Sequence, residues 1–115
     1  MPAENKISSE ERFFDLTSHA EDDLKNIWVY VAEHNENAAG KLLKELFDKF
    51  HLLSKNKKLG KQRDEILLGL RSFPHKNFII FYTSRENSRI EIYRVIHASR
   101  DIEGLFEEFF EGLEE

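Results

Sequence analysis

An α+β fold is predicted: an N-terminal strand and an antiparallel helical hairpin packed on one face of a small twisted, mainly antiparallel sheet, closed by a short C-terminal helix. Three observations predict it. Two runs with helical apolar spacing fill the first half of the chain, and three apolar runs of strand length, separated by turn-forming residues, fill the second. An acidic, phenylalanine-rich segment, LFEEFFEGLEE, follows the last strand. Runs of helix followed by runs of strand make a layered α+β domain, with the hairpin covering one sheet face and the other left for function.

Each element has a local reason. Residues 1 to about 11 are polar and aperiodic and read as a flexible leader, after which Phe13, Phe14 and Leu16 mark a first strand. Ser18 stands three residues before Glu21, the capping-box spacing, with Asp22 and Asp23 where negative charge suits a helix N-terminus. Leu24, Ile27, Trp28 and Val31 then form one apolar stripe that runs out near His34. Past the break at residues 35–37, a second stripe comprises Ala39, Leu42, Leu43, Leu46, Phe47, Phe50 and Leu53. Its polar side offers Lys41–Glu45, Lys44–Asp48 and Glu45–Lys49 pairs. Lys55, Lys57, Lys58 and Lys61 cluster where this helix ends at Gly60, and complementation of the helix dipole is favoured over phosphate binding as the reason for them.

From Ile66 the period changes. ILLGLRSF, FIIFYT and RIEIYRVIH read as three strands of a meander, joined by turns at residues 74–77 and at SRENS. On the last strand Ile90, Ile92, Arg94 and Ile96 should face one way, and Glu91, Tyr93, Val95 and His97 the other. Ser99 or Asp101 can cap a final helix with Ile102, Leu105, Phe106, Phe109 and Phe110 on its apolar face, and residues 111–115 read as a flexible tail.

At 115 residues the chain fits one domain, residues 1–115, with aromatic side chains enough for a modest core. The lack of cysteine fits a reducing cytoplasm, and the sequence offers neither a membrane-spanning run nor a signal peptide. The net charge of −5 hides a strong partition. Residues 1–40 carry three Lys/Arg against nine Asp/Glu, residues 41–100 fourteen against six, and residues 101–115 none against seven. The basic middle needs phosphate, an acidic partner or the chain's own acids, while the overall acidity argues against a general nucleic-acid binder.

The five histidines lack zinc-site spacing, so no metal is expected, and the isolated glycines form neither a Walker loop nor a dinucleotide fingerprint, so no cofactor is expected. What remains is a set on or beside the sheet: Arg71, Tyr82, Arg94, His97 and Arg100. Such groups could stabilise a phosphorane and move protons in metal-free RNA cleavage, or could clamp carboxylates, including those after residue 100. A single histidine such as His97 more often has a structural role than a catalytic one.

In order, LTSHAEDDLKNIWVYVAE, LGLRSFPHKNFIIFY and IEIYRVIHASRD resemble the ParE branch of the RelE/ParE toxins over about residues 13–106. AEDDL with Trp28, GLRSF and RVIHASRD together are far more specific than any one piece. The resemblance implies the fold above and the role of toxin in a type II toxin–antitoxin module. It also implies a hetero-oligomer with a cognate ParD-like antitoxin of ribbon-helix-helix type. ParE-like members inhibit DNA gyrase, whereas RelE-like relatives cut mRNA on the ribosome, so one fold hosts two functions. The GLRSF and RVIHASRD wording favours the gyrase branch, a non-catalytic action, and no direct DNA binding. The alternatives are a ribosome-dependent endoribonuclease using Arg71, Arg94 and His97, with Tyr82 or Tyr93 as proton carriers, and a non-toxic antitoxin-binding relative. Arg71, Arg94, His97, Arg100 and Asp101 are the family-signature positions that the match implies. Leu105, Phe106, Phe109 and Phe110 in the acidic tail are expected to bind antitoxin or to dock on the open sheet face.

Overall fold

The computed structural model describes residues 14–85, 89–100, 104 and 107. It contains β1 (Phe14–Leu16), α1 (Ser18–Ala32), α2 (Glu36–Lys55), β2 (Lys61–Gln62), β3 (Leu70–His75), β4 (Phe78–Arg85) and β5 (Arg89–His97). The five strands form one sheet in the order β1-β5-β4-β3-β2. β1 lies parallel to β5, and the other pairings are antiparallel. Gly104 and Glu107 are helical, whereas the expected cap at Asp101, the apolar face of the closing helix and the leader fall outside the described residues. Among the described residues, no helix is long and apolar enough to cross a membrane.

Both helices pack on the same sheet face. Leu24 and Ile27 of α1 and Leu46, Phe50 and Leu53 of α2 bury against Phe14, Ile80, Tyr82, Ile90, Ile92 and Val95. Phe14 meets the rings of Phe47 and Phe50 edge-on at 5.9 and 5.4 Å, which fixes the short β1 beneath α2. Trp28, expected on the apolar stripe of α1, remains 41% exposed. The stripe that reaches the core runs through Ala20, Leu24 and Ile27, with Val31 packed at its margin, and Trp28 lies beside it.

Several local expectations are corrected. The cap of α1 is Thr17, one residue before Ser18: its Oγ1 accepts from the Ala20 amide at 3.0 Å. The same hydroxyl donates to the Tyr93 carbonyl at 2.8 Å, and the Thr17 amide donates to the Ile92 carbonyl, so the helix start is tied to β5. Thr17→Ala is therefore expected to cost about 1–2 kcal/mol, with Thr17→Ser close to wild type, as read from urea midpoints at constant m. The strand expected from Ile66 begins at Leu70, because residues 63–69 form a tight loop. In it Gly69 adopts φ 88° and its amide bonds the Asp64 carboxylate. Pro74 lies inside β3, and the turn contracts to Lys76 and Asn77, with Lys76 at φ 55°.

The alternation expected along β5 breaks at a bulge. Pairing steps from Phe81↔Arg94 to Tyr82↔Ile92, leaving Tyr93 as the extra residue. Ile90, Ile92 and Val95 consequently all join the helix-side core, while Ile96 and Tyr93 belong to a second cluster with Leu70 and Phe81. That second cluster corrects another expectation. The sheet face away from the helices is not left bare: Leu70, Phe81 and Ile96 are buried there, with Ile66 and Leu67 of the 63–69 loop packed against them.

Candidate functional site

The structure divides the expected constellation into two separate places. Arg71 and Tyr82, opposite one another on β3 and β4, turn towards the loop that follows α2. Arg71 Nη1 donates to the Gly60 carbonyl at 2.7 Å and to the Lys58 carbonyl at 3.3 Å. The Tyr82 hydroxyl donates to the Lys57 carbonyl and accepts from the Gly60 amide, both at 2.8 Å. Burial pushes the Tyr82 phenol above its ordinary pKa, and burial with the nearby Glu91 charge does the same to Tyr93. Neither phenol is poised for proton transfer near neutral pH.

Arg94, His97 and Arg100 do come together, along a groove of about 760 Å³ between α1, the start of α2 and the ends of β4 and β5. Ile27, Val31, Leu42, Phe78 and Val95 supply its apolar floor, Lys76, His97 and Arg100 its basic rim, and Tyr30, 70% exposed, one wall. Arg94 is bound on arrival. Its Nε and Nη2 donate to the two Asp23 carboxylate oxygens at 2.7 and 2.9 Å, which holds the guanidinium pKa above its ordinary value. Asp23 Oδ2 also accepts from the Val95 amide at 3.0 Å. Since β1 pairs only as far as Ile92, this carboxylate covers the edge of β5 that β1 leaves open.

His97 stacks edge-on against Phe78 at 5.3 Å, and its Nδ1 accepts from the Ser99 amide at 3.1 Å. An amide can only donate, so the neutral imidazole carries its proton on Nε2. Arg100 is exposed, and Asp101, Leu105, Phe106, Phe109 and Phe110 lie outside the described residues. No group of three His, Asp or Glu side chains among the described residues could hold a metal ion.

Sequence reasoning missed three participants. Asp23 was read as a dipole complement, although a carboxylate beside a buried strand end is the natural partner for Arg94. Gly60, read as a helix stop, lets the chain pass against Tyr82. Glu45, read as a helical i,i+4 partner of lysines, instead bonds His75 Nε2 and Lys76 Nζ, both at 2.9 Å, and clamps the β3–β4 turn at the groove's end.

Bonds from Lys76 first and His75 second lower the Glu45 pKa to about 2, from 4.5. A folded pKa below the unfolded one gives stability that is complete above 4.5 and lost as the pH falls towards 2. Glu45→Gln is expected to flatten the acid limb of the thermal-stability profile in that window, and superimposable profiles would refute the clamp.

The architecture, a helical hairpin on one face of a mixed, mainly antiparallel five-stranded sheet, is the fold expected of RelE/ParE-type toxins. Residues 14–102 match the profile of the ParE toxin of the type II toxin–antitoxin system, parDE, and the chain belongs to that family. A solved chain from the chromosomal ParDE TA system from P. aeruginosa superposes with a TM-score of 0.62 at 20% identity. The match covers 76% of this chain and 97% of that one. Comparison with curated proteins finds no significant match.

Proposed function

We propose that this chain is a cytoplasmic, non-catalytic toxin that arrests DNA gyrase and is silenced by a ParD-type antitoxin seated in the groove above α1. One observation carries the preference for contact over catalysis. Arg71, Tyr82 and Arg94, the groups an RNA-cleaving site would need, are each engaged in internal hydrogen bonds. Of the five residues of the expected constellation, His97 and Arg100 are the exposed pair, and a lone imidazole beside one guanidinium is a poor nuclease.

The groove suits a helix or strand that brings apolar side chains to its floor and carboxylates to Lys76, His97 and Arg100. Tyr30→Asp should weaken antitoxin binding by roughly 30-fold, the loss typical of an aromatic hot spot, without changing thermal stability. Leu105, Phe106, Phe109 and Phe110 are assigned to antitoxin binding or to docking on the sheet. Deleting residues 104–115 without effect on stability or antitoxin affinity would remove that assignment.

The deciding experiment is the topology of a reporter plasmid recovered minutes after induction without antitoxin. Relaxed or linear plasmid supports gyrase arrest. Normal supercoiling with arrested growth and cleaved transcripts supports the ribosome-dependent endoribonuclease instead. Normal growth marks a relative that binds antitoxin but is no longer toxic.

A further inference from the structure

From Lys49 to Arg63 the chain carries five lysines and one arginine and no Asp or Glu. Lys55, Lys57, Lys58 and Lys61 fall at the end of α2 and in the loop to β2, where Ser54, Lys55, Asn56, Lys57, Lys58 and Leu59 line a shallow concavity of about 590 Å³. Lys55, Lys58 and Lys61 are exposed and Lys57 half-buried. Among the described residues, none of the four makes an ion pair. Glu65, whose carboxylate feels the Lys61 charge, is held by Arg63.

Helix capping does not use these lysines. The Asn56 amide bonds the Leu52 and Leu53 carbonyls, and its side-chain Nδ2 bonds Leu52 again, so Asn56 rather than a lysine makes the capping bonds seen at the end of α2. The loop is also held from beneath through its backbone. Tyr82 takes the Lys57 carbonyl and the Gly60 amide, and Arg71 takes the Lys58 and Gly60 carbonyls. Four ammonium groups are thus presented from a fixed main chain, with Arg71 adding positive charge under them.

We infer that this lysine loop is a contact surface for the phosphate backbone of double-stranded DNA. Screening lets the local charge rather than the net −5 govern a contact of this size, because charges more than ~10 Å away are largely masked at moderate salt. The two-pronged recognition that arginine gives carboxylate or phosphate is taken up at Arg71 by the loop's own carbonyls. The lysines act as point charges, which suit the closely repeating phosphates of a duplex backbone without demanding a fixed geometry. Single-stranded nucleic acid calls for exposed aromatic stacking surfaces. Before the loop, Phe50 is buried in the core, and the exposed His51 is set edge-on to Phe14 and offers at most one small ring, too little for a run of stacked bases. This leaves sequence-independent backbone contact with a duplex, which revises the sequence-based expectation of no DNA binding and holds whether or not gyrase is the target.

The test compares the full-length chain with a Lys55→Gln, Lys57→Gln, Lys58→Gln, Lys61→Gln variant. The clamp binds carbonyls and an amide, not these side chains, so the variant keeps its fold, as an unchanged thermal transition will verify. Fluorescence anisotropy with a labelled duplex of arbitrary sequence gives affinity against salt. Four phosphate contacts predict a log–log slope near −3.6, roughly a 100-fold weakening between ~50 and ~200 mM salt, and the variant should lose most of both binding and slope. Equal affinities and slopes for the two proteins, or duplex binding weaker than ~1 mM at ~50 mM salt, would overturn the inference. So would a variant with unchanged duplex binding but slower antitoxin association, which would assign the loop to an acidic protein surface.

Discussion

Arg94→Ala should unfold this protein more readily than any other substitution of a polar side chain in the groove. The guanidinium and the Asp23 carboxylate are only 15% and 13% exposed, and the alanine variant leaves that carboxylate with the Val95 amide alone. Removing one partner of such a pair costs about 3 kcal/mol, because the remaining charge stays away from water. For a domain of this size that corresponds to a fall in Tm of roughly 10–15 °C. Arg94→Lys keeps the charge but loses the two-pronged bond, and should fall between the two.

A structural reading and a target-contact reading of Arg94 separate in one further comparison. If Arg94 acts by holding β5 to α1, then Asp23→Ala should match Arg94→Ala in both stability and toxicity, and the double variant should lose less than the sum of the two. An Arg94→Ala protein with wild-type Tm and no toxicity would instead make Arg94 a direct contact with the target. The same logic governs loss of function generally in this fold: a toxicity screen without a stability measurement would score Arg71, Tyr82 and Arg94 as active-site residues.

The parts of this fold that the sequence disclosed are those with a period. The stripe from Ala39 to Leu53 has one helical reading, and the strands around Ile80 and Ile92 have one reading each, so α2, β4 and β5 were legible nearly to their ends. Length defeated the reading of β2, since Lys61–Gln62 is two exposed polar residues whose strand character comes only from pairing with β3. The β5 bulge was hidden for a different reason. Ile90, Ile92, Val95 and Ile96 are all apolar, so a one-residue slip leaves no mark in the pattern.

At the site, residue types were read correctly and partners were not. Arginine, tyrosine and histidine on a sheet announce polar chemistry, but Asp23 lies 71 residues from Arg94 and Gly60 lies 22 from Tyr82. Neither separation belongs to any local motif, so only the topology, which brings α1 over the open edge of β5 and the lysine loop under β4, tells a catalytic set from a set of structural ties.

The second large effect is expected at Gly60. A Cβ there would stand 2.6 Å from the Tyr82 hydroxyl, 2.8 Å from its Cε1 and 2.9 Å from the Ser72 carbonyl oxygen. The carbonyl belongs to β3 and cannot move aside, so Gly60→Ala should cost about 2–3 kcal/mol through overpacking. Tyr82→Phe acts on the same contact from the other side. It leaves the Gly60 amide and the Lys57 carbonyl without their partner, at about 1–3 kcal/mol. Combining the two removes the closest clash together with the lost hydroxyl, so the double variant should be distinctly less destabilised than the sum, as denaturant midpoints would reveal. Strict additivity would mean that the ring edge at Cε1 and the Ser72 carbonyl, not the hydroxyl, set the cost at Gly60. In that case the tyrosine hydroxyl would be a passive neighbour of the lysine loop rather than the group that fixes its main chain.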